Sequence, residues 1–160
     1  MSAHDIKFNQ LKSFERLVRT QHQTLPSLNK GEIEVVRQDT FALKQRANAK
    51  VLCGVGIPVK MPGGDKRNSR SPNNITIDFM YSISFQPAYR KSAWMLDYLL
   101  NGFFAEGLNF QFWDTNGSED WDDWTEVTPG VIQSSHDIPS QPVGEGRIAI
   151  SRLVVVKFHR

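Results

Sequence analysis

Three segments of the chain predict an α+β fold, a mainly antiparallel sheet with two helices packed on one face. From Ile75 to Phe85 every odd position is large and apolar, while the even positions are mostly small or polar. That period of two belongs to a strand with one face in a core. Beyond Pro87, the residues Tyr89, Ala93, Leu96, Leu100, Phe103 and Phe104 fall on one helical face. From Arg147 to His159 the alternation returns: Ile148, Ile150, Val154, Val156 and Phe158 share a face, and Leu153 and Val155 opposite them imply cover on both sides.

The remaining elements follow in order. From Asp5 to about Gln23 the pattern is helical, with Leu11, Phe14 and Val18 at i, i+3 and i+7, Phe8 and Leu17 beside them, and Lys12, Glu15, Arg16 and Arg19 on the other sides. Asp5, or Ser2 with Asp5, can cap its start, and Leu25-Pro26 ends it. Lys30-Gly31 reads as a turn and Glu32–Arg37 as a short strand with Ile33 and Val35 inward. Residues 39–50 show no decisive period. Val51, Cys53, Val55, Ile57, Val59 and Met61 alternate as a long strand, with Gly54, Gly56 and Pro58 on the other face marking a bulge, a close approach or an edge. Pro62–Pro72 is a long polar loop, expected to be mobile in the free subunit. The third central strand feeds a helix over Ala88–Phe104, Gly107 ends that helix, and Leu108–Trp113 resumes the alternation. Glu126–Pro142 reads as irregular, because Pro129, Gly130, Pro139 and Pro142 interrupt it and only Val131 and Ile132 suggest a short strand.

Length and composition fit one domain spanning residues 1–160, with 39% apolar and 11% aromatic residues. No apolar run approaches the roughly 18 residues that a membrane-crossing helix needs, and the first residues lack the order of a secretory signal. Synthesis in a reducing cytoplasm is the expectation. Cys53 is the only cysteine, which excludes an internal disulfide, and its place beside Val51 makes it a small core residue. A net charge of +2 directs the chain to neither nucleic acid nor membrane. No cofactor is expected.

Two loops carry the chemistry. Asp114, Asn116, Ser118 and Asp120 place oxygen side chains at alternate positions, as a calcium loop does, but the sixth position is Glu119 where such a loop has glycine, and the twelfth is Thr125 where it has glutamate. The match is partial. Trp113, Trp121 and Trp124 crowd the same stretch with Asp120, Asp122 and Asp123, and tryptophan belongs at the buried centres of interfaces. The other loop offers Lys60, Lys66, Arg67 and Arg70 against Asp65 alone, without the spacing of a phosphate loop. Opposite signs on the two loops suit head-to-tail association, and Lys66, Arg67, Arg70, Trp113, Asp120, Trp121, Asp122, Asp123 and Trp124 are the candidate interface residues. Ser134-Ser135-His136-Asp137 sets triad residue types side by side, whereas triads are assembled from separate segments. His4, His22, His136 and His159 show no metal-ligand spacing.

The order of an N-terminal helix, strands with a long hairpin loop, the strand Ile75–Phe85 leading into the helix Ala88–Phe104, and the strand Leu108–Trp113 resembles the small ring-forming neck and tail-completion proteins of tailed bacteriophages, with the tail terminators nearest. The likeness is one of layout over about half of the chain, from Val51 to Trp113. It implies a non-enzymatic virion protein: a homohexameric ring that caps the tail tube, joins it to the head, binds itself and other tail tube and neck proteins, and meets DNA only through passage in the ring lumen. The competing expectations are a baseplate or other minor virion subunit, a small nucleic-acid- or ligand-binding module, and an enzyme without a recognisable motif.

Overall fold

The computed structural model describes residues 3–37, 49–57, 70–71, 74–142 and 146–159. The elements are α1 (Ala3–His22), α2 (Ser27–Glu32), β1 (Ile33–Arg37), β2 (Val51–Gly56), β3 (Arg70–Ser71), β4 (Asn74–Phe85), α3 (Arg90–Phe103, entered through a 3₁₀ turn at Pro87–Tyr89), β5 (Asn109–Asp114), β6 (Thr125–Pro142) and β7 (Ile148–His159). The strands form one sheet in the order β1-β2-β4-β7-β6-β5, with β3 added beside the start of β4. This is an α+β fold, and every strand pair but one is antiparallel.

The exception is β1 with β2, which run parallel from Ile33↔Val51 to Arg37↔Val55. Hairpin-like connections were the expectation there. A parallel pair needs a crossover of about a dozen residues or more, and residues 38–50 supply that length. Two smaller differences lie nearby. Lys30-Gly31 closes the short helix α2, so β1 starts at Ile33. The strand expected over Val51–Met61 is described as β2 to Gly56, and positions 58–61, like 38–48 and the loop 62–69, lie outside the described residues.

The larger correction is β6. The stretch expected to be irregular is an 18-residue strand. Its prolines are tolerated because β6 is staggered between its neighbours. Pro129 pairs with Gln111 of β5, beyond the end of the β7 ladder, and Pro142 pairs with Ile148 of β7, far from β5. Pro139 falls in one of two register shifts, between Ile138 and Gln141. At each proline a backbone N–H is needed on one side at most. Gly130 has a steric reason: a Cβ there would lie 2.8 Å from the Phe112 ring and 2.9 Å from Val156.

The odd-numbered side chains of β4 face the helices, as the alternation predicts, and Ile77, Phe79, Tyr81, Ile83 and Phe85 are buried. Phe14 of α1 lies 4.7 Å from the Phe79 ring and stacks at 4.8 Å on Phe104, which follows α3. Phe158 meets Phe112 edge-on at 4.7 Å and closes the same cluster from β7 and β5. Such ring pairs add about 0.5–1.5 kcal/mol each to area burial. The single cysteine, Cys53, is wholly buried in this core, and burial pushes its thiol up to about 12.

The sheet curls, and α1 fills the gap between its edges β1 and β5. The buried Ser13 hydroxyl donates to the Trp113 carbonyl (2.8 Å) and accepts from the Trp113 N–H (3.0 Å). One helix side chain therefore satisfies both backbone groups that this edge residue turns away from β6. At the other edge Glu15 of α1 binds Arg37 of β1 at 2.6 Å. The reverse face is covered at one end by Arg147, whose fully buried guanidinium donates to Ser84 and to the Ala49 carbonyl.

Candidate interaction surface

The acidic loop closes on itself first. Asp114 Oδ1 accepts from the Asn116 N–H at 3.0 Å, and Asn116 takes a left-handed φ of 52° ahead of Gly117 at 76°. Ser118 Oγ accepts from the Asp120 N–H (3.0 Å) and donates to Asp123 Oδ2 (2.8 Å). Asp120 Oδ1 accepts from the Asp122 N–H at 3.0 Å and so caps a 3₁₀ turn at Trp121–Asp123. The Asn116 amide donates to the Asp123 carbonyl and to Thr125, and the Trp124 indole N–H to the Ser118 carbonyl. The four oxygen residues read as a calcium pattern are thus brought together as stitches of one turn. Among the described residues no three His, Cys, Asp or Glu side chains are grouped so as to hold a metal ion.

The closed loop then docks on α1 of its own chain. The Arg16 guanidinium lies 4.2 Å from the Trp113 ring, 4.8 Å from Trp121 and 5.4 Å from Trp124, a cation surrounded by three indoles. Glu119 bonds Lys12 at 3.1 Å and receives both guanidinium nitrogens of Arg37, at 3.2 and 2.5 Å. Glu15 joins Arg37 to Arg19, which it meets at 3.2 Å. Lys12 and Glu15, expected on the outer sides of the helix, are buried because this network pairs them. Lys12, Arg16 and Arg19 recur at helical spacing, and that basic stripe was the sequence signal for the contact.

The Arg37 guanidinium holds the Glu119 carboxyl well below its usual range, at about 2, with Lys12 assisting. A carboxyl depressed in the folded state stabilises it above the unfolded value near 4.5, and that contribution is lost as pH falls toward 2. Tryptophan emission is therefore expected to report release of the loop between pH 4.5 and 2, and Glu119→Gln should abolish that step. An unchanged acid transition in the variant would assign the step to other groups.

The candidate interface residues divide accordingly. Trp113 and Trp124 are half-buried against Arg16, whereas Asp120, Trp121, Asp122 and Asp123 stay exposed at the loop tip. Lys66 and Arg67 lie outside the described residues, and Arg70 enters as the backbone partner of Ile75.

A second surface went unread in the sequence. On the outer side of α3, Trp94 is 55% exposed and Tyr98 83%. They stand one turn apart and border a shallow, open groove formed by the side chains of this one helix, Arg90, Lys91, Trp94, Met95 and Tyr98. Arg90 lies 5.5 Å from the Trp94 ring. The signal was available, since Trp94 and Tyr98 share a helical face that Ala93, Leu96 and Leu100 do not occupy. Asn29 of α2 donates to Ser92 at 3.0 Å and fixes α2 beside the first turn of α3, with Leu28 exposed.

Polar groups beneath α3 are structural ties. The Tyr81 hydroxyl donates to Asp97 Oδ1 at 3.4 Å, and buried Arg152 lies between Asp97, 3.8 Å away, and Asp137. Burial pushes both the Asp97 carboxyl and the Tyr81 phenol up. Asp137 pairs with Arg152 across the strands, and its neighbour His136 points to the other face of the strand, so the two do not meet as catalytic partners. His22 is lowered by burial and donates from Nε2 to the Lys30 carbonyl at 3.0 Å, joining α1 to α2. No protein-family model matches the chain, and no curated protein matches it in sequence.

Proposed function

We propose that the protein is a structural subunit of a phage-like tail or neck, which assembles as a homo-oligomeric ring, caps the tail tube and joins it to the head. The observation that carries the assembly half is the outer face of α3, where two large aromatic side chains stand in solvent beside a basic rim. Aromatic and arginine residues grouped in this way are what buried interface centres are made of. The tail half rests on the order of elements in the sequence, the strand Ile75–Phe85 leading into the helix Ala88–Phe104 and then the strand Leu108–Trp113, which resembles that of tail terminators. In this reading the protein resides in the virion, its neighbours are tail tube and neck proteins, and DNA passes through the lumen without being read. It acts without cofactor or catalysis.

Light scattering and negative-stain imaging of the purified chain test the reading. A ring of several subunits, six by the resemblance, is the expected particle. A chain that stays monomeric at high concentration, in low and high salt and with purified tail tube protein added, would overturn it.

A further inference from the structure

We infer that the groove on α3 receives the Asp120–Asp123 turn of a second copy of this chain, an inference that deepens the ring reading and rests on it. Three observations on the two surfaces carry it.

The first is charge. Arg90 and Lys91 open α3, whose first turn contains no acid and whose N-terminus has no side-chain cap. Two cations thus stand together at one end of the groove. The tip of the acidic loop holds the complement: Asp120, Asp122 and Asp123 are exposed, and none forms an ion pair among the described residues. Glu119, just before that turn, is paired within the chain with Lys12 and Arg37.

The second is apolar surface. The groove is bordered by Trp94 and Tyr98, and the turn presents Trp121, which is 37% exposed even with Arg16 beneath it. An indole at the centre with carboxylates around it fits a groove with aromatic walls and a cationic rim.

The third is position. Phe85 pairs with Ile148 and Ile148 with Pro142, and the chain passes from Phe85 through the 3₁₀ turn into α3 at that end of the sheet. At the opposite end β6 runs on past Phe158 of β7, its partner at Gly130, to Thr125 beside Asp114, where the acidic loop begins. A surface and its complement at opposite ends of one sheet meet between copies set head to tail, the arrangement that closes into rings.

Complementation of the full chain tests this. Arg90→Glu with Lys91→Glu forms one variant and Asp122→Lys the other; all three residues are exposed, and unchanged circular dichroism and melting confirm the fold of each. Either variant alone should associate at least about tenfold more weakly than the parent chain in sedimentation, because like charges then face each other. An equimolar mixture should regain association as pairs of one subunit of each variant, since the unchanged groove of Asp122→Lys meets the unchanged turn of Arg90→Glu, Lys91→Glu. Parent-like assembly of the folded Arg90→Glu, Lys91→Glu variant would overturn the inference and leave the ring reading standing. Loss in both variants without recovery in the mixture would overturn the second copy's turn as the occupant. A parent chain that never associates would overturn both readings.

Discussion

Phe14→Ala is expected to lower folding stability by about 3–5 kcal/mol, the range for removing a buried aromatic ring from a core. Phe14 is fully buried and touches Phe79 of β4 and Phe104 after α3 at once, so its ring is the point at which both helices and the sheet meet. The space left would be bounded by two other rings that belong to rigid elements and cannot collapse into it. Urea denaturation followed by circular dichroism gives the value. A loss below about 1 kcal/mol would mean that the cluster repacks freely, contrary to the close packing expected of a core. Phe14→Leu should recover a large share of the loss, because most of the buried area returns.

Arg147→Met is expected to cost about 2–4 kcal/mol, for a polar reason. The side chain is fully buried, with Nε donating to Ser84 Oγ at 2.8 Å, one terminal nitrogen donating to the Ser84 carbonyl at 2.9 Å and the other to the Ala49 carbonyl. Methionine has comparable length but no donor, so it would leave those acceptors buried without the charged fork that served them. Arg147→Lys should be almost as damaging, since one ammonium cannot reach three acceptors in the plane of a guanidinium. Near-parental denaturation midpoints for Arg147→Lys would show that charge alone suffices. The loss should also reach the groove. Ala49 precedes Lys50, whose carbonyl accepts from the Gln86 N–H at 3.1 Å at the point where β4 gives way to the turn into α3.

The elements with a strong, uninterrupted period were legible. The strand Ile75–Phe85 and the strand to His159 appear as expected, and the helix expected over Ala88–Phe104 forms from Arg90 to Phe103 after a 3₁₀ turn, because their apolar positions recur with one period and face one core. The fold class follows from them. What was not legible depended on partners remote in sequence. β6 reads as irregular because proline and glycine signal a break to any local rule, and only the stagger between β5 and β7 shows that their N–H groups are not required. The parallel pairing of β1 and β2 has no local signal, since it joins strands on either side of residues 39–50, whose sequence has no decisive period. For the surface, the aromatic and acidic character of the 114–124 loop was legible but its docking site was not. The residues expected to face another subunit, Trp113 and Trp124, are partly spent on Arg16 of the same chain. Trp94 and Tyr98 were hidden differently, by lying on the polar side of a helix whose apolar side drew attention.

The position of β7 also bears on how the chain comes to be folded. The last strand in sequence lies in the middle of the sheet, hydrogen-bonded to β4 on one side and β6 on the other. Until residues 148–159 have left the ribosome, β4 and β6 have no ladder between them, and the two halves of the sheet are separate hairpin fragments with open edges. Helix α1, which precedes the strands in sequence, has nothing complete to seal until then. Non-local pairings of this kind close late and slowly, so the nascent chain exposes strand edges for most of its synthesis. Whatever protects those edges before β7 pairs, a chaperone or rapid synthesis, determines the yield of folded protein.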